Sequence, residues 1–186
     1  MTLLILGLIL WTAAHFFKRL SPNARQSLTD RLGDGSKGVV ALVLLLSVVL
    51  MVIGYRAAPF VSVYEPPSFL RHVNNLMMLF AVALMGLGSS KSRFNGTLRH
   101  PMLTGAIVWG VAHLFANGDL ASIVLFGGIT VWAYTQMVLI NRAVPDWTPP
   151  EPGTAQGDIK LGVITLVLFA IIAGIHTWLG YFPFGS

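Results

Sequence analysis

The side chains of this sequence best suited to chemistry are its five histidines, His15, His72, His100, His113 and His176, in a chain that contains no cysteine. Without a thiol there is no disulfide, thiolate metal site or thiol nucleophile. A metal or cofactor iron is therefore left to histidine, methionine, carboxylate or backbone. Neutral imidazole is a good iron ligand and also an aromatic-sized packing group. The seven acidic residues fall in connectors or at the ends of apolar runs, and no phosphate-binding loop or zincin-type motif occurs. Hydrolase chemistry is unsupported, and a histidine-held haem is the cofactor this set suits best.

Each histidine has a functional and a plainer reading. His113 lies in the apolar segment Trp109-Gly110-Val111-Ala112-His113-Leu114-Phe115, with Asn117 one helical turn later on the same face. That spacing predicts a ring facing Asn117. The plainer reading is a hydrogen bond across to another helix, worth about 1 kcal/mol in a membrane. His15 sits among Trp11, Phe16 and Phe17, with Lys18 and Arg19 following. Aromatic walls there could flank a porphyrin and the bases could meet its propionates, or the group could be an interfacial aromatic belt. His100 precedes Pro101 where a helix begins, and Arg99 makes this an anion-friendly corner. His72, beside Arg71 and near Asn75, reads as a surface anchor, and His176 beside Trp178 as interfacial. His100 and His113 would lie on roughly opposite faces about 20 Å apart, so they do not hold one iron together.

These side chains have to be positioned by helices in lipid. The chain has 186 residues, enough for a single domain, and is 55% hydrophobic against 10% charged, far from the balance of a soluble protein. A bilayer-spanning helix needs about 20 apolar residues. The uncharged stretches predict an all-α, polytopic membrane protein of about six spans, near residues 2–17, 38–55, 70–88, 101–116, 120–140 and 161–182. Asn117, Gly118 and Asp119 form a tight turn between the fourth and fifth, in which Gly118 is expected to take positive φ and Asp119 to cap the next helix. Ser21-Pro22 opens a short interfacial helix that Gly33 stops, and the Pro-rich stretch 145–152 is a loop. Glycines within the spans, including Gly7, Gly54, Gly105, Gly110, Gly127, Gly162 and Gly174, are expected to let helices approach.

Lys18, Arg19, Arg25, Arg31, Lys37, Lys91, Arg93, Arg99, Arg142 and Lys160 fall in or beside the odd-numbered connectors, and only Arg56 and Arg71 oppose them. The positive-inside bias then puts those connectors in the cytoplasm and both termini outside. The net charge of +5 reports topology, since the bases form no continuous face for nucleic acid. A bilayer is the expected partner, and a bacterial inner (plasma) membrane the expected location.

The segments Arg99-His100-Pro101-Met102-Leu103-Thr104-Gly105 and Trp109 to Asp119, with His15, Gly54-Tyr55-Arg56 and Pro66-Pro67 before Leu70-Arg71-His72, resemble the NnrU family over nearly the whole length. Its members are small polytopic membrane proteins associated with nitrite and nitric oxide reduction, related to the haem-dependent 15-cis-zeta-carotene isomerase. The resemblance implies a b-type haem with His15 and His113 as axial ligands; the residues themselves leave His100, His72, Asn117 and Arg99 as secondary candidates for the cofactor site. Depth along the spans alone would pair His15 with His100, or His72 with His113. A haem-dependent redox or isomerase activity, an apolar small-molecule substrate, and nitric oxide as ligand all follow as expectations. Whether the protein is an enzyme stays open. The segment from Arg99 to Gly105 is also similar to membrane methyltransferases that use S-adenosylmethionine, though their later acidic motif is replaced by Asn141, Arg142 and then Asp146. A non-catalytic assembly or interaction protein is the third reading.

Overall fold

Long apolar stretches of leucine, valine, isoleucine and alanine form helices, because in lipid a single segment satisfies its own backbone only through intrahelical hydrogen bonds. The computed structural model describes residues 1–184. Its helices are α1 (Thr2–Leu20), α2 (Pro22–Leu32), α3 (Gly35–Arg56), α4 (Leu70–Leu87), α5 (Pro101–Leu114), α6 (Leu120–Ala143) and α7 (Ala155–Trp178). Among the described residues there is no strand, only two isolated bridges, Ser62 with Asp119 and Ser92 with Thr154. Five helices, α1, α3, α4, α6 and α7, are long and apolar enough to cross a membrane, and α5 is a shorter apolar helix. The protein is an all-α, polytopic membrane protein. Side chains such as Leu42 (67% exposed) and Ile159 (68%) face outward, as lipid contact demands.

Several boundaries differ from those read in the sequence. α1 runs on through Lys18, Arg19 and Leu20; the long stems of Lys18 and Arg19 can lie along apolar surface while their charges reach water. α5 ends at Leu114 rather than residue 116. α7 starts at Ala155, capped by the Thr154 hydroxyl accepting from Gly157 N at 3.1 Å, so Asp158 and Lys160 lie inside the helix. Pro22 is the first residue of α2 and Gly33 ends it at φ +55°, but the Ser21 side chain makes no capping bond.

α1 and α3 pack antiparallel at very close range. A Cβ on Gly54 would collide with the backbone of Leu3 and Leu4, and one on Gly7 would lie 2.8 Å from Met51 N. α6 lies against this pair in the direction of α1, with Leu8 over Gly128 and Trp11 against Trp132. α5 runs the opposite way on another side of α6, where a Cβ on Gly110 would meet Phe126 O at 2.8 Å and collide with Thr130 Oγ1. α4 and then α7 extend the bundle beyond α5. Gly127, Gly162 and Gly174, expected at helix contacts, face open space.

Each end of the bundle is tied by a polar clamp. At the end rich in Lys and Arg, Asp158 accepts from Ser92 Oγ (2.7 Å), Arg93 N (2.8 Å) and Arg93 Nε (2.6 Å). At the opposite end, Val63 N and Tyr64 N donate to Gly118 O (2.9 and 3.1 Å), Leu120 N donates to Val61 O (2.9 Å), and the Tyr64 hydroxyl donates to Leu114 O and Asn117 O. Burial first, and then the nearby Asp119 carboxylate, push the Tyr64 phenol above its ordinary range, which keeps it a donor. Gly118 does not take positive φ. A side chain is excluded there because it would collide with Tyr64 O. Asp119 caps α6 as expected, accepting from Ser122 N at 3.0 Å.

Candidate functional site

α1 and α5 carry the same four-residue step, Trp11-x-x-Ala14-His15 and Trp109-x-x-Ala112-His113. In a helix, residues four apart stack on one face, and the two steps fold alike. His15 Nδ1 bonds to Trp11 O at 2.9 Å, and His113 Nδ1 to Trp109 O at 2.9 Å. Each imidazole lies against its own indole, with ring centres 4.3 Å apart and planes at 44° for Trp11 and His15, and 4.8 Å and 50° for Trp109 and His113. A carbonyl can only accept, so each Nδ1 carries the hydrogen and each Nε2 is left as a bare lone pair. That is the tautomer a metal-binding histidine uses. His176 closes the same way onto Ile172 O (2.8 Å), without an indole four residues back.

Both rings rest on α6. His15 meets Trp132 edge-on (4.6 Å, 64°), and His113 stacks on Phe126 (4.4 Å, 24°). Side chains lean toward the N-terminus of their helix, and α1 and α5 pass α6 in opposite senses. Along the bundle axis the two rings therefore lean toward a common depth, each by about one turn of 5.4 Å. Read by depth alone, His15 pairs with His100 and His113 with His72; this lean shortens the offset between His15 and His113 instead. At the His113 contact α6 contains a single π-helical turn, Ile123–Gly127, with Gly128 next. Such turns rotate the face a helix presents and recur at functional sites. Here the turn carries Phe126, which also touches Trp109 (5.1 Å) and Tyr55 (6.2 Å).

The polar surroundings of the two rings differ. Near His113, Tyr55 Oη lies 2.8 Å from Ser122 Oγ, and Ser122 Oγ lies 2.5 Å from Asp119 Oδ2. Serine has one hydroxyl hydrogen, given to the carboxylate, so Tyr55 donates to serine and the chain runs Tyr55 to Ser122 to Asp119. Near His15, the buried Trp11 Nε1, Trp132 Nε1 and Gln136 Oε1 have no partner among the described residues.

The other expected site residues serve the ends of helices. The His113 ring faces Trp109, not Asn117; the Asn117 amide instead donates to His113 O at 2.8 Å and closes α5. His100 Nε2 bonds to Asn141 Oδ1 at 2.7 Å, and Arg99 donates to Val144 O and Pro145 O, so this corner joins α5 to the end of α6. His72 is exposed at the start of α4. The sequence puts Trp11 among the aromatic walls beside His15, but Trp109, Phe126 and Trp132 carry no site role in that reading. The repeated Trp-x-x-Ala-His step was the available signal, and Gly127-Gly128 the signal for the irregular turn.

Among the described residues no three His, Asp or Glu side chains gather as ligands for a bare ion. Two imidazoles of fixed tautomer, in aromatic walls, instead match a metal that brings its remaining ligands with it, as iron in a porphyrin does. The donor set fits that group.

The family model described as NnrU protein matches residues 3–183, nearly all of the 186-residue chain. None of the curated proteins and none of the solved structures is significantly similar to it.

Proposed function

The chain belongs to the NnrU family of integral membrane proteins, and from that premise we propose that it binds b-type haem in the bacterial inner membrane. The role that follows is in nitrite and nitric oxide metabolism, as a haem-dependent redox or isomerising enzyme or as a nitric oxide sensor. The observation that carries this reading is the repeated Trp-x-x-Ala-His turn, which presents Nε2 of His15 and of His113 from two antiparallel helices. Those two nitrogens would hold the iron. When bound, haem supplies a centre for one-electron transfer or for binding a small ligand.

The protein's own contribution is to fix the ligands and keep water out. The carbonyls of Trp11 and Trp109 hold the imidazoles in one tautomer and orientation and raise their basicity. Trp132 and Phe126, 7% and 6% exposed, exclude solvent from their inner faces. The ordered chain from Tyr55 through Ser122 to Asp119 links the His113 side of the aromatic cluster with a carboxylate at the start of α6. His100, on which the methyltransferase reading rests, bonds through Nε2 to Asn141 Oδ1.

The test is the absorption spectrum of protein purified after expression with ample haem, recorded before and after dithionite. A Soret band with sharpened reduced α and β bands is expected, lost in His113→Ala and His15→Ala and kept in His72→Ala. Absence of the band from the unaltered protein overturns the proposal and leaves an assembly role, with co-purification of a partner as its sign.

A further inference from the structure

Two indole N–H groups beside His15 have nothing among the described residues to donate to. Trp132 is 7% exposed, and both its Nε1 and that of Trp11 are buried and unpartnered. The two rings meet edge to face at 5.1 Å, and each touches the His15 ring. Gln136, one turn after Trp132 on α6, adds a buried Oε1 that is also unpartnered. A carboxamide can flip and present its NH2 in place of the oxygen. Buried polar atoms are overwhelmingly satisfied in folded proteins, and each orphan costs about 1–3 kcal/mol. Hydrocarbon tails offer no acceptor, so lipid does not relieve it.

The class of missing partner follows from the donors. Trp11, His15 and Lys18 fall at i, i+4 and i+7, one face of α1. That face presents an indole donor, then an imidazole, then an ammonium at the helix end, with a second indole facing it from α6. Donors in apolar aromatic walls, closed at one end by a cation, match an anionic oxygen acceptor on an otherwise apolar molecule. We infer that the α1–α6 seam beside His15 is a carboxylate-binding site, in which Trp11 and Trp132 donate their indole N–H groups to the carboxylate oxygens of an apolar ligand and Lys18 balances its charge. Resting on the haem reading, the carboxylates are the porphyrin propionates. The other source of the same chemistry is a fatty acid from the bilayer.

The experiment uses the full chain in phosphatidylcholine nanodiscs, titrated with haemin and with haemin dimethyl ester and followed by Soret absorbance. Trp132→Phe and Trp11→Phe are expected to bind haemin about tenfold more weakly or worse, with the Soret maximum unmoved because the imidazoles remain. The ester should bind the unaltered protein no better than haemin binds the variants. If both variants bind haemin as tightly as the unaltered protein while His15→Ala loses the band, the carboxylate site is overturned, the haem reading stands, and ordered water satisfies the indoles. If the unaltered protein shows no band, the haem reading falls and a doxyl-labelled fatty acid decides by electron paramagnetic resonance. An immobilised component seen with the acid, absent with its methyl ester and lost in Trp132→Phe supports the site with the lipid source. Equal immobilisation of acid and ester, or none, overturns it.

Discussion

The two Trp–His turns are the same device in different company. At α5, His113 stacks on Phe126, and the nearby polar groups are spent inside the protein, Tyr55 on Ser122 and Ser122 on Asp119. At α1, His15 meets Trp132, and the nearby polar groups are left over, two indole donors and an amide oxygen. A satisfied network rigidifies, whereas orphaned groups wait for a partner from outside. The α5 turn is thus built as a fixed support and the α1 turn as a receptive one. Local sequence sets the shape of both. What α6 brings opposite them sets the difference.

The strongest way to break this contrast is Phe126→Ala. Phe126 is 6% exposed and touches His113, Trp109 and Tyr55, so truncating it should cost about 3–5 kcal/mol. Thermal unfolding in detergent micelles reads this, and a loss below about 1 kcal/mol would show that the α5 side is not the rigid one. Ser122→Ala comes next. Ser122 is fully buried and bonded on both sides, so its loss leaves a phenol and a carboxylate short of a partner, about 1–3 kcal/mol. The double variant Tyr55→Phe with Ser122→Ala should lose less than the two single losses added together, because the pair shares one bond. Strict additivity would mean that the two hydroxyls are not coupled.

Much of this architecture was legible beforehand. Six apolar runs, the short helix opened by Pro22, the Asp119 cap and the Pro-rich loop could be read because hydropathy, proline and capping chemistry are local. Contacts between helices were less legible. The sequence shows that Gly54 and Gly162 are both glycines within apolar helices, but only packing reveals that one lies under Leu4 and the other under nothing. His113 was expected to face Asn117, since i and i+4 share a face in both directions. Side chains lean toward the helix N-terminus, and so the ring went to Trp109. Orphaned indoles were invisible, because a sequence records a donor and not whether an acceptor lies within reach.

A smaller and sharper test compares two conservative changes, Tyr55→Phe and Trp132→Phe, in protein free of haem. Tyr55 uses its hydroxyl, donating to Ser122 at 2.8 Å, so removing it should cost about 1 kcal/mol. Trp132 gains nothing from its N–H within the protein. Replacing indole by phenyl loses some packing, about 1 kcal/mol for a partly refilled gap, and removes an orphan donor worth a similar amount. The two should offset, leaving the melting temperature of Trp132→Phe within error of the unaltered protein while that of Tyr55→Phe falls. Adding haemin should reverse the ranking, because the indole then has an acceptor to lose. Equal losses in the unloaded protein would mean that the Trp132 N–H is already satisfied there, and the two turns would no longer differ in the way that makes one of them receptive.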